Sequence, residues 1–143
     1  MVGLCRESII CGTVPSALTM KLAVNLYVIT MVTGLAEAAH FAQRHGMDLA
    51  QFTSVLNNGQ MASDISRVKL DKLTTQDFTV QAAITDVLKN SRLVAESARS
   101  AGLASPLLDV CHTLYGETEA LEHGSLDMAA VIRAIEQRTE TVR

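Results

Sequence analysis

Lys21 and Asn25 stand four residues apart in TMKLAVNLYVITMVTGLAEAAHFAQRHG, residues 19–46. On a helix, that spacing puts both on one face, one turn apart. An ammonium beside a primary amide can hold a hydroxyl or carbonyl oxygen. The lysine can then move its proton, while the amide both donates and accepts. Partial removal of a lysine from water disfavours its charged form and so favours acid–base work. A blander account uses the same residues: a solvent-facing lysine at a helix start, and an asparagine that fixes helix register.

The element that carries them must be a helix. Residues 19–46 hold no proline and one internal glycine, Gly34. At ~1.5 Å per residue the stretch would span roughly 40 Å. Between Leu22 and Leu35 the polar groups other than Tyr27 are Asn25, Thr30 and Thr33, so apolar residues reach every face. That pattern predicts a central helix buried all round.

The chain has 143 residues, 48% hydrophobic and 19% charged, with 3% aromatic and no Trp. One domain of helices packed on helices is expected, and its length suffices for a proper core. A formal net charge of −3 offers no electrostatic footprint for nucleic acid and no basic patch for anionic lipid. The apolar run 22–36 falls short of the ~20 residues of a membrane span. The first residues lack a signal-peptide pattern. Cys5, Cys11 and Cys111 match no metal spacing and suit reduced thiols of a cytoplasmic protein. His40, His45, His112 and His123 form no ligand set, so no metal is expected.

Residues 1–15 read as an irregular lead-in and 16–143 as a single helical domain. Ser16 is a candidate N-cap for the long helix, which ends at Gly46. Asp48 caps a short helix, with Gln51 as capping-box partner. Ser63 opens another. A second long helix is predicted from about Thr79 to Gly102, with Ile84, Val87, Leu88 and Val94 on its apolar face. Ser105-Pro106 starts the next, running to about His123. Ser125 or Asp127 begins the last. The fold class is all-α, with about six helices.

Several of these residues fall in an ordered pattern: Gly12, Lys21, Asn25, Ala36-Glu37-Ala38 and Gly46, then Phe78, Thr85-Asp86 and the turn from Gly102 to Pro106. The pattern resembles the C-terminal domain of the β-hydroxyacid dehydrogenases. That family includes 3-hydroxyisobutyrate dehydrogenase, tartronate semialdehyde reductase and, more distantly, 6-phosphogluconate dehydrogenase. The resemblance implies that Lys21 is the catalytic acid/base and that Asn25 binds substrate. It also implies NAD or NADP as cofactor, a small hydroxyacid as substrate, and a homodimer.

Three departures stand out. Thr85-Asp86 replaces the family's usual Lys-Asp, whose lysine lies near the cofactor, which leaves Asp86 and Lys89 as candidates on the cofactor side. Val28 stands where the 6-phosphogluconate enzymes carry glutamate, which argues against that substrate. No two glycines stand one residue apart, so the G-x-G-x-x-G of a Rossmann domain is missing. The expectation is a helical half whose dinucleotide-binding domain is absent and which is inactive alone. The rival reading is a helical dimerisation module without catalysis.

Overall fold

The computed structural model describes residues 14–142. The expected lead-in over 1–15 lies outside them, apart from residues 14 and 15, which are already helical.

Helix α1, Val14–Arg44, is the longest element at 31 residues. It starts before Ser16, which therefore sits in the first turn instead of capping it. Pro15 explains the earlier start, because a first-turn residue needs no N–H partner. At the other end Gly46 adopts φ +78°, the left-handed turn that stops a helix. Nδ1 of His45 donates to the Phe41 carbonyl at 2.9 Å and closes the last turn.

Helix α2, Leu49–Asn57, is capped by Asp48, whose carboxylate accepts from the Ala50 amide at 3.0 Å. The expected partner, Gln51, stays exposed and closes no box. Helix α3, Asp64–Thr75, has a reciprocal box instead. Ser66 N donates to Ser63 Oγ at 3.0 Å, and Ser63 N to Ser66 Oγ at 2.8 Å.

Helix α4, Ile84–Ser100, begins later than the expected Thr79. Asp77 accepts from both the amide and the hydroxyl of Thr79, an Asx turn that keeps Thr79 out of the helix. The amides of Gln81 and Ala82 are committed to Asp127, and Ala83 forms an isolated antiparallel bridge with it.

Helix α5, Pro106–Ala120, has Ser105 at its N-cap position. The Ser105 hydroxyl accepts from Arg99 and donates to Asp109, leaving the helix backbone uncapped by it. The helix stops short of His123, where Glu122 turns left-handed at φ 68°. A 3₁₀ turn, Met128–Val131, then leads into α6, Ile132–Val142. Among the described residues there is no strand.

Helix α1 is central and touches every other element. Ile29, Val32, Ala36 and Ala39 form its inner stripe, packed into one core with Leu70, Tyr115 and the 3₁₀ turn. Burial on all sides is not observed. Tyr27 and Phe41, on the opposite face, are each 66% exposed. Five further helices cannot ring so long a rod, so they cover one side of it. By length and hydropathy α1 could also cross a bilayer, contrary to the shorter run read from sequence. Its inner face is nevertheless the wall on which the other helices pack.

Candidate functional site

Lys21 and Asn25 lie toward the N-terminal end of α1, with Asn25 one turn before Ile29 of the inner stripe. Both are half-buried. Neither makes a hydrogen bond or ion pair with another described residue, so their donors are available to a ligand. One turn beyond Asn25, Val28 continues the same face and enters a groove of about 310 Å³. Asp64, Ile65, Val68 and Lys69 of α3, with Gln81, Ala82 and Met128, form the rest of that groove. It is a largely apolar trough to which α1 contributes Val28.

The trough is built on a buried ion pair. Lys69 Nζ donates to both oxygens of Asp127 at 3.0 Å. Asp127 is fully buried, and Lys69 is 6% exposed. The carboxylate takes three backbone bonds besides: from Gln81 at 3.0 Å, Ala82 at 3.1 Å and Ala129 at 3.0 Å. Burial on its own would raise the carboxyl above its ordinary range. The amides of Ala129 and Gln81, the lysine and the Ala82 amide outweigh it and hold the group below that range. The Asp127 amide also donates to Phe78 O at 3.0 Å, and the Met128 amide to Ala82 O at 2.7 Å. One carboxylate thus fixes the 78–83 segment, a wall of the groove, against α3 and the 3₁₀ turn.

Sequence reading misses this pair. A signal for Lys69 is present: Ser66, Lys69, Leu70 and Leu73 share the buried face of α3 at helical spacing. Asp127 reads as a helix start, which it is, capping Ala129. Its second role depends on partners remote in the chain.

Asp86 and Lys89 lie on the exposed face of α4 and do not line the groove. Thr85, in place of the family lysine, donates to Glu119 Oε2 at 2.8 Å. No cluster of metal-ligating side chains occurs among the described residues.

A long helix that presents a lysine–asparagine face, with shorter helices packed on one side, defines an all-α module with parallels among dehydrogenases. A Salmonella typhimurium 3-hydroxyisobutyrate dehydrogenase superposes with a TM-score of 0.77 at 23% identity, over 80% of this chain and 40% of that one. A Mycobacterium tuberculosis 3-hydroxyisobutyrate dehydrogenase, solved with L-serine, gives 0.77 at 19% identity, over 87% of this chain and 45% of its own. At such identities these two show the fold. In sequence, the cytokine-like nuclear factor N-PAC of Gallus gallus is 27% identical over 129 residues, which is 90% of this chain and 23% of the relative. A probable mitochondrial 3-hydroxyisobutyrate dehydrogenase-like protein of Arabidopsis thaliana is 25% identical, over 88% of this chain and 38% of its own length. The family described as NAD-binding of NADP-dependent 3-hydroxyisobutyrate dehydrogenase matches residues 16–135. The chain belongs to that family, and the resemblance to β-hydroxyacid dehydrogenases holds. This chain spans between about a quarter and under half of these relatives. Their names include a nuclear factor and a mitochondrial protein, so membership does not fix a compartment.

Proposed function

We propose that this chain is the helical, substrate-handling half of an NAD(P)-dependent oxidoreductase acting on a small β-hydroxyacid. One observation carries the reading: Lys21 and Asn25 share a helix face, half-buried and without a hydrogen bond or ion pair to another described residue, and Asn25 stands one turn from Val28, which lines an apolar groove. Unpartnered donors of this kind fit a substrate hydroxyl. The described glycines stand singly and form no phosphate cradle, so the dinucleotide belongs to another domain of a longer protein. Residues 16–143 act as one unit beside that domain, in a soluble cytoplasmic enzyme.

The nicotinamide, when bound, supplies the hydride acceptor. Asn25 holds the substrate oxygen, and Lys21 takes or returns the hydroxyl proton at Nζ. Asp86 and Lys89, on the solvent face of α4, are secondary candidates for the cofactor side. The complete enzyme is a homodimer. Alone, the chain neither holds NAD(P) tightly nor turns over hydroxyacids. The test joins it to the dinucleotide-binding domain of a 3-hydroxyisobutyrate dehydrogenase and follows NAD(P)H. Lys21→Ala should lower kcat by about 10²–10⁴-fold; unchanged turnover would overturn the assignment. The outward apolar face of α1 favours a second reading, a dimerisation module without catalysis. A folded dimer that stays inactive in every such fusion would support it.

A further inference from the structure

Helix α1 has two apolar faces. The inner one is buried, whereas the outer one carries a second periodicity. From Met20 to His45 the outward positions alternate in steps of four and three, the spacing of a coiled-coil seam. Met20 and Val24 are 47% and 38% exposed, and farther along the seam Tyr27 and Phe41 are more exposed still. Gly34 lies at its middle, where an added methyl group would meet nothing within 4 Å. A groove of about 620 Å³ runs beside it, floored by Met31, Gly34 and Ala38 and walled by Phe52 and Leu56 of α2.

We infer that this seam is a self-complementary interface, on which a second copy of α1 lies antiparallel about a two-fold axis at the level between Val32 and Thr33. The inference rests on the proposal that the protein is a homodimer and names the surface used. Three features of the seam commit it to its own copy. The antiparallel register sets Tyr27 against Ala38 of the second copy and Met31 against its Gly34, so each large side chain meets a small one. It sets Val24 against Phe41. It also brings no like charges face to face, since no seam position carries Asp, Glu, Lys or Arg and His45 comes opposite Met20. At ~1.5 Å per residue the seam is about 38 Å long. With the groove's rim, such a length approaches the ~800 Å² per partner of a stable interface.

The test is sedimentation of this chain at tens of micromolar, with Ala38→Glu and Met31→Glu as variants. A dimer is expected. Each charge, buried without a partner, should weaken it about 100-fold or more, while circular dichroism melting holds. A Tyr27→Cys, Ala38→Cys double variant, treated with a short bis-maleimide, should give a covalent dimer beyond that of the parent chain. The two single variants should not, because in this register neither position meets its own copy. A monomer overturns both the dimer and the seam. A dimer indifferent to charge at positions 31 and 38 overturns the seam alone. Cross-linking by the single variants overturns the antiparallel register.

Discussion

The ammonium of Lys69 sits 3.0 Å from both carboxylate oxygens of Asp127, and water reaches almost none of it. Removing one member of such a pair strands the other's charge, at a cost of about 3–5 kcal/mol. Asp127→Asn should therefore destabilise the fold by about that much. Lys69→Met should cost less, since three backbone amides still serve the carboxylate. Urea unfolding of both variants checks the order. Equal losses would mean that the amide bonds contribute nothing.

The same carboxylate sets an acid limit. Its folded value lies below that of the unfolded chain. Its contribution is thus complete above the ordinary carboxylate range and is lost as pH falls through the lowered value. Wild-type stability should decline across that acid window, and the Asp127→Asn variant should show a shallower slope. Parallel slopes would assign the decline to other carboxylates.

Among the described residues, Lys21 and Asn25 have no hydrogen-bond or ion-pair partners to lose. Lys21→Ala and Asn25→Ala should each change stability by less than about 0.5 kcal/mol. In a complete enzyme Asn25→Ala should raise KM about 10-fold, the worth of one hydrogen bond. Thermal melts run beside steady-state kinetics separate the two effects. A fall in melting temperature at either position would mark it as structural.

Gly124 leaves no room for a side chain. A methyl there would sit 2.5 Å from Thr85 Oγ1, the hydroxyl bonded to Glu119. Gly124→Ala should force Thr85 to turn and break that bond, costing about 1 kcal/mol. Adding Thr85→Ser, whose smaller side chain turns freely, should recover part of the loss in a melting experiment.

Much of the fold is written in local signals. Gly46 and Gly102 end their helices with φ of +78° and +70°, and Ser63 caps where its spacing to Ser66 allows. Such features depend on a few neighbouring residues, so composition and spacing reveal them. The start of α4 does not follow this rule. Thr79–Ala83 could continue a helix by pattern, but Asp127 draws away the amides of Gln81 and Ala82, and that competitor is far along the chain. The outward face of α1 is hidden for a similar reason. An apolar stripe shows that burial is needed without showing how many neighbours exist to provide it. The lysine–asparagine face is legible because one helical turn contains it. The groove beside it is not, since its walls come from three separate stretches.

The Lys69–Asp127 link also bears on the order in which the chain organises. The two residues are 58 positions apart, with α4 and α5 lying wholly between them. Closing a loop of that length costs about 3.6 kcal/mol of chain entropy beyond a constant. The hairpin of α4 and α5 shortens the path, so its formation lowers that cost before the ion pair can form. Contacts made that late are absent from the folding transition state and act on the reverse reaction. Loss of the pair should speed unfolding and leave the folding rate nearly unchanged, making this buried charge a brake on opening.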